Sequence, residues 1–292
     1  MGILIRGPIG FPAMPKNSST VRTWTGFGIL FGLLLIIHVW SHIPDGKLHL
    51  FFLDIGQGDS ALIVTPKGKQ IMIDGGPDLS TLEQIGDRMS YFDRSLDLLI
   101  LTHPHLDHLA SFPAVLNRYD VDTFLLAGTN ASNGRYKAIL RDLADGKPKS
   151  MLAEPGTSLN LGEGISLDIL WPPKSWYGKN VTNENNASVT LKLHYRGHTA
   201  LFTGDDELPV EQALLASHIN LKADILKVGH HGSDTSSSEK FLQAVDPDLA
   251  IISVGEGNLF HHPKQSVLDR LDRLGIPYKR TDLDGTIEIV WE

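Results

Sequence analysis

The chain has 292 residues, of which 41% are hydrophobic and 21% charged, with 13 His and no Cys. That composition excludes a disordered chain and a many-span membrane protein; the absence of Cys excludes disulfide partners, thiolate catalysis and Cys-held metals, so any metal must be held by nitrogen and oxygen. The formal charge of −8 is uneven: the first 44 residues hold three of the 26 basic groups and none of the 34 acidic ones, so residues 45–292 carry 23 against 34, a net of −11.

Residues 1–23 read as a short basic segment containing Arg6, Lys16 and Arg22. Residues 24–43, beginning WTGFGILFGLLLIIHVW, carry no charge. About 20 helical residues cross a hydrocarbon core of about 30 Å. Trp24 and Trp40 stand where interfacial aromatics belong, and Arg22 and Lys16 precede the run. The expectation is a single-pass cell-membrane anchor with a cytoplasmic N-terminus and everything from residue 45 outside. A cleavable signal peptide fits less well, because SHIPDG (41–46) offers no small-x-small cleavage site, and a buried core helix is the third reading.

From residue 45 onward, short apolar runs alternate with helical stretches. LHLFFLDI (48–55), SALIVT (60–65) and QIMID (70–74) read as strands, followed by a helix at 81–92, the buried strand LDLLILT (96–102), a helix at 109–119, the strand TFLLAG (123–128) and a helix at 136–143. The second half repeats the rhythm: strands at 165–171, 188–195 and 199–205, a helix at 209–219, the run ADILKVGHHG (223–232), a helix at 238–244, a strand at 249–255, a helix at 263–274 and a strand at 286–291. Two similar halves of strands flanked by helices predict a layered α/β sandwich. Residues 171–188 break the pattern. They are Pro- and Asn-rich, and Trp171, Trp176 and Tyr177 interleave with Lys174 and Lys179, the makings of a small base-stacking platform in a long functional loop.

Seven of the His fall in three clusters: His103, His105 and His108; His230 and His231; His261 and His262. The first is THPHLDH (102–108), directly after a buried strand. Pro104 stiffens the turn, alternate spacing points His103 and His105 the same way, and Asp107 and His108 open the next helix toward a second ion. Four ligand-type side chains within six residues thus provide parts of two adjacent metal sites. Asp74, before Gly75–Gly76, and Asp205 both end strands, where a carboxylate can ligate a metal or orient a ligand. His230 ends 223–232 in a similar placement.

These residues resemble the metallo-β-lactamase-fold hydrolases, and most closely the C-terminal hydrolase domain of the ComEC family of DNA-uptake competence proteins. The resemblance runs collinearly from about 48 to 290 through FLDIGQGDS, IMIDGG, ILTHPHLDH, ENNAS, LFTGD, LKVGHHGS, AIISVGEGN, HHP and RTDLDGTIEI. It implies a four-layer αββα sandwich, a hydrolase domain over 45–292 and two divalent ions. His103 and His105 would hold one ion, Asp107 and His108 the other, and Asp205 would bridge them. His230, in preference to His231, would complete the second site, and Asp74 would orient a ligand His. Asp107 or Asp205 would hold the proton of the attacking water, and His262 is a candidate phosphate donor or general acid. Lys227 and Ser233 flank the His pair and are candidate phosphate contacts, as Trp176 is for a base. Gln57 and Asp59 belong to the GQGD turn, a family signature; Gln57 is a candidate substrate contact, and the task of the turn itself is not revealed by the sequence.

One departure stands out. The wider superfamily expects a third His for the first ion before Asp205, yet only His194 and His198 occur there. With a hairpin turning at 196–197, His198 lies seven residues from Asp205, about 23 Å at about 3.3 Å per residue. The segment returning beside Asp205 is 185–188, so Asn186 and Ser188 are expected near the ion. An oxygen-rich site of that kind admits Mn²⁺ as readily as Zn²⁺.

The expected function is a membrane-tethered, extracytoplasmic phosphodiesterase or nuclease processing DNA in competence-type uptake, with any channel a separate protein. An envelope esterase or small-phosphodiester hydrolase of the choline-phosphate esterase kind is the alternative, and a non-catalytic DNA-binding module a weaker one. The net charge of −11 over residues 45–292 opposes strong non-specific DNA binding, which needs several cationic phosphate contacts.

Overall fold

The computed structural model describes residues 24, 27, 29–34, 43–90, 92–144, 146 and 148–292. The chain divides into a segment, Met1–His42, and a unit, Ile43–Glu292. In the first, Trp24, Phe27 and residues 29–34 are helical. Residues 25, 26, 28 and 35–42 of the expected anchor, and all of the basic segment 1–23, lie outside the described residues. Among the described residues no helix is long and apolar enough to cross a membrane.

The second unit is built on two seven-stranded sheets. The first contains β1 (Leu48–Phe52), β2 (Ala61–Val64), β3 (Gln70–Ile73), β4 (Ser95–Leu101), β5 (Asp120–Leu126), β6 (Lys149–Leu152) and β14 (Ile287–Trp291), in the order β14-β1-β2-β3-β4-β5-β6. The second contains β7 (Ser158–Gly162), β8 (Ile165–Trp171), β9 (Thr190–Tyr195), β10 (His198–Phe202), β11 (Ile225–Lys227), β12 (Leu249–Ile252) and β13 (Tyr278–Arg280), in the order β13-β12-β11-β10-β9-β8-β7.

Strand periodicity creates the layers. Along β4, Leu98 and Ile100 join an inter-sheet core with Phe52, Ile71, Leu191, Leu193, Phe202 and Ile251, and Phe52 stacks on Phe202 at 5.7 Å. Leu99 and Leu101 face the other way, onto the helices Phe112–Arg118 and Gly134–Ala144, through Phe112, Val115, Ile139 and Leu143. On the far side, Leu201, Leu226 and Ile252 meet the helices Leu208–Ala216, Glu239–Val245 and Gln265–Leu274 through Leu214, Phe241 and Leu271. Each fully buried Leu, Ile or Phe contributes about 1.5–3 kcal/mol. A helix–sheet–sheet–helix sandwich results.

Three strands escape sequence reading. β6 and β7 are sheet-edge strands with mostly exposed or half-exposed residues, so they lack an apolar signature, and β13 has three residues. The helix expected at 109–119 is broken into Leu106–Leu109 and Phe112–Arg118, and the one expected at 81–92 ends at Gly86. β3 runs parallel to β4, and β10 to β11. The C-terminal ends of these four strands lead to Asp74, His103, Asp205 and the His pair, the position where parallel α/β sheets present ligand sites.

Candidate metal centre

The register of β3 against β4 sets Asp74 beside Thr102, whose backbone N–H donates to Asp74 Oδ1 at 2.8 Å and whose hydroxyl donates to Oδ2 at 2.7 Å. The chain then turns at Pro104, and His105, still extended, precedes the one-turn helix Leu106–Leu109 that carries Asp107 and His108. Asp74 Oδ2 also meets His108 Nδ1 at 2.8 Å, which turns His108 Nε2 toward Asp205 Oδ2, 3.3 Å away. The GQGD turn packs onto this helix: Asp59 N–H donates to the Asp107 carbonyl at 3.2 Å. Gly58 is obligatory there, since a Cβ would lie 2.3 Å from that carbonyl oxygen at a φ of +147°.

The second half supplies a matching histidine. His231 Nδ1 lies 3.0 Å from the Ser253 carbonyl and 3.2 Å from Asp59 Oδ1. Its Nε2 is then 3.4 Å from Asp107 Oδ2 and 3.6 Å from Asp205 Oδ1. His103 Nδ1 is held by the hydroxyls of Thr102 at 3.1 Å and Ser188 at 3.2 Å, leaving Nε2 3.7 Å from Asp205 Oδ2. Ser188 Oγ also accepts from Asp205 N–H at 3.0 Å. Among the described residues three groups could hold an ion, and two of them share Asp205: Asp107, His108, Asp205 and His231; and His103, His105 and Asp205. The third, Asp59, Asp74 and His108, lies behind His108, whose Nδ1 Asp74 already engages.

Whether these residues suit divalent cations can be judged from their unpaired atoms. The Nε2 atoms of His103, His108 and His231 and Oδ1 of Asp205 are all buried and lack a hydrogen-bond partner. Buried polar atoms are normally paired, because each unpaired one costs roughly 1–3 kcal/mol. Several converging on one carboxylate, each imidazole fixed through its other nitrogen, fit cation ligation. The fold and these clusters imply divalent metals.

The electrostatics agree. Burial, reinforced by charge on His108, holds His103 well below the usual imidazole range, in the neutral form a ligand needs. Burial opposes charge on His108 as well, yet Asp205, Asp74 and Asp107 outweigh it and raise it well above that range. His231 is pushed up to about 10, with Asp205 and Asp59 overcoming burial. Burial would raise Asp205, but His231 and His108 hold it well below the carboxylate range. The protons on His108 and His231 occupy the places that metal charge would take.

Several expectations need correction. The resemblance favours His230 over His231, but successive left-handed residues (φ 48° and 54°) aim the rings apart, and His231 is the one that enters the buried group. His230 stays at the rim, with Nε2 3.9 Å from Asp205 Oδ2 and Nδ1 3.1 Å from Thr235 Oγ1 and 3.4 Å from Glu207 Oε1. Lys227 does not face a substrate: it is 4% exposed, and its Nζ sits 2.7 Å from Asp59 Oδ2. Ser233 is hydrogen-bonded within its own turn, to Thr235 Oγ1 at 3.0 Å. Gln57 Oε1 accepts from Gly255 N–H at 3.2 Å, joining two loops. Of the residues expected beside Asp205, Ser188 arrives. Asn186 turns away, its carbonyl accepting from Trp171 Nε1 at 2.7 Å and its Oδ1 from Glu207 N–H at 3.4 Å. His262 lies at the rim, 5.8 Å from the His230 ring, and burial together with charge on His231 and His230 depresses it to about 4. It is a neutral donor there and not a protonated acid. Trp176 stands in a separate cleft.

Four residues at the rim, Glu184, Glu207, Asn183 and Asn185, are not singled out by the sequence. Glu184 Oε2 comes within 3.5 Å of His105 Nε2, and Glu207 holds Asn183 at 2.9 Å and Asn185 at 3.0 Å. Asn185 Nδ2 in turn lies 3.4 Å from His230 Nε2. The ENNAS segment was the available signal, but its spacing does not tell which side chain turns inward. The hairpin of β9 and β10 does form, pairing His198 with Tyr195 and taking His198 away to stack on Trp291 at 5.2 Å.

Residues 53–256 match the family described as the metallo-beta-lactamase superfamily. ComE operon protein 3 of Bacillus subtilis is 30% identical over 94% of this chain and 37% of its own length. Competence protein ComA of Neisseria gonorrhoeae is 29% identical over 84% of this chain and 33% of its own length. The chain thus spans about a third of the length of these curated relatives. Among solved structures, Igni18, a metallo hydrolase of Ignicoccus hospitalis, superposes with a TM-score of 0.56 at 15% identity, over 84% of this chain and 100% of that one.

Breaking the Asp59–Lys227 pair strands a buried ammonium, a change that costs about 3–5 kcal/mol. Asp59→Ala should therefore lower stability by about that amount in urea denaturation, and Asp59→Ala combined with Lys227→Met should recover much of it. A double variant as unstable as the single one would show that the pair is not the cause.

Proposed function

The chain belongs to the metallo-beta-lactamase superfamily, whose fold makes it a metal-dependent hydrolase with competence-protein homologues, and from that premise we propose that it cleaves phosphodiester bonds in DNA during competence-type uptake. In this reading residues 24–43 tether it to the cell membrane, residues 45–292 work outside, and any DNA channel is a separate protein. The observation that carries the reading is the pair of ligand groups sharing Asp205, because paired ions that clamp both the attacking and the leaving oxygen suit in-line displacement at phosphorus.

The ligands of the two ions would be His103, His105 and Asp205 for the first, and Asp107, His108, His231 and Asp205 for the second. Bound divalent ions supply Lewis acidity, which makes water a nucleophile near neutral pH and balances charge on phosphate oxygens. The chain's own residues do the rest. Asp74 fixes the tautomer of His108 by engaging its Nδ1, and the Ser253 carbonyl does the same for His231, with Asp59 Oδ1 alongside. Asp107 is more exposed than the other second-site ligands; with Oδ2 toward His231, it keeps Oδ1 to accept a hydrogen bond from the attacking water and hold its proton. His262 flanks the open side next to His230, and its neutral imidazole is placed to donate a hydrogen bond to a phosphate oxygen. Water oxygen bonds to phosphorus as the P–O bond to the leaving group breaks; Asp107 releases the proton it holds to solvent, and the departing oxygen takes one up from solvent.

A second reading, a hydrolase of small phosphodiesters at the envelope, draws support from the net charge of −11 over residues 45–292, which disfavours non-specific DNA binding. The full chain with Mn²⁺ or Zn²⁺ should be assayed on single-stranded DNA, linear duplex and a small chromogenic phosphodiester. DNA cleavage is expected, abolished by Asp107→Ala and lowered about 10- to 100-fold by Asp74→Asn, the usual cost of removing a residue that orients a ligand. Turnover of the small diester without DNA cleavage would move the assignment to the second reading, and full activity of Asp107→Ala would overturn the site.

A further inference from the structure

Beside the metal centre lies a cleft of about 550 Å³, lined by Trp171, Trp176, Lys179, Asn180, Asn183 and Val210. Its size falls within the range of about 300–1,000 Å³ typical of small-molecule sites. We propose that this cleft is a nucleobase subsite, seating one base of the substrate while the adjacent phosphodiester lies at the metal centre. The proposal rests on the phosphodiesterase reading and names the part of the substrate that the centre itself does not contact.

The aromatic wall is fixed on one side and open on the other. Trp171 is pinned by its indole N–H, which donates to the Asn186 carbonyl at 2.7 Å, and Trp176 meets it edge-to-face at 5.3 Å with an interplanar angle of 84°. Trp176 is itself half-exposed. The other candidates for a stacking platform are drawn elsewhere: Lys174 pairs with Glu154, and the Tyr177 hydroxyl donates to the Ala153 carbonyl at 2.5 Å. Stacking therefore falls to Trp176. Among the described residues the side chains of Lys179 and Asn180 have no hydrogen-bond or ion-pair partner, so an ammonium and an amide remain for the edge of a planar heterocycle and its phosphate. An amide offers both a donor and an acceptor, as a base edge does.

The cleft and the centre share a wall. Asn183 lines the cleft while its Nδ2 donates to Glu207 Oε2 at 2.9 Å; Glu207 Oε1 accepts from Asn185 Nδ2, which lies 3.4 Å from His230 Nε2 at the rim of the metal group. One loop thus runs from the base cleft to the metal centre. The acidity of the domain gives the cleft its importance. Residues 45–292, with a net formal charge of −11, are poorly suited to draw affinity from many phosphate contacts, whereas base stacking on an aromatic ring requires no charge.

The test is calorimetric binding of thymidine 5′-monophosphate and of deoxyribose 5-phosphate to the full chain, alongside Trp176→Ala and Trp176→Phe. The nucleotide should bind more tightly than the sugar phosphate, and Trp176→Ala should weaken it by roughly 5- to 150-fold, the equivalent of about 1–3 kcal/mol per stacked base. Trp176→Phe should keep most of that affinity, the sugar phosphate should bind all three proteins alike, and the advantage of the base should persist at high salt. A nucleotide that binds no better than the sugar phosphate, or equally well to Trp176→Ala, overturns the subsite. Failure of the phosphodiesterase reading looks different: base-dependent binding lost in Trp176→Ala, with no cleavage of any diester, would leave the subsite standing and that reading fallen.

Discussion

The structure depends on one buried carboxylate. Asp205 is 1% exposed and faces imidazole nitrogens of His108, His231 and His103 at 3.3, 3.6 and 3.7 Å. Removing so many polar atoms from water without partners is unfavourable unless positive charge is supplied among them. Protons on His108 and His231 supply it in one state, and divalent ions would supply it in the other. The four strands that deliver ligand side chains end at this point, and the turns that follow them carry the residues whose backbone conformation or small size lets the side chains converge.

The two halves of the sandwich contribute by the same device. In each, a histidine presents Nε2 to Asp205 because its Nδ1 is engaged, His108 by Asp74 and His231 by the Ser253 carbonyl with the Asp59 carboxylate beside it. The contact of Asp59 with His231 crosses between sheets, since Asp59 follows β1 whereas His231 and Lys227 belong to the other half. Asp59 is therefore both an orienting group and a clasp, binding Lys227 with one oxygen and His231 with the other. The left-handed backbone at His230 and His231 is part of the same arrangement. Such conformations cost of order 1 kcal/mol or more for a residue with a Cβ and persist where surrounding contacts dictate them. Here they direct one ring inward and leave its neighbour at the rim beside Glu207.

Features encoded by local spacing were legible in the sequence. THPHLDH follows a buried strand, and the alternation of apolar residues in β4 announces a strand packed on both faces, so the sandwich and its first cluster could be expected. Features set by residues far apart in the chain were not. Lys227 looks like an exposed phosphate contact until Asp59, 168 positions earlier, is placed against it. His230 and His231 are indistinguishable in sequence because their directions follow from backbone angles that composition does not encode. Ser188, in place of a third histidine, was accessible through hairpin geometry, since the return of the chain beside Asp205 follows from counting residues. Edge strands β6 and β7 stayed hidden because a strand with little burial has no hydrophobic period to read.

The assignment of the second ion to Asp107, His108, Asp205 and His231 is tested most directly by metal content, measured on purified protein after saturation and removal of free Mn²⁺ or Zn²⁺. Wild type should retain two ions per chain, His230→Ala should retain both, and His231→Ala should lose one. Retention of both ions by His231→Ala, with loss of one from His230→Ala, would contradict the account.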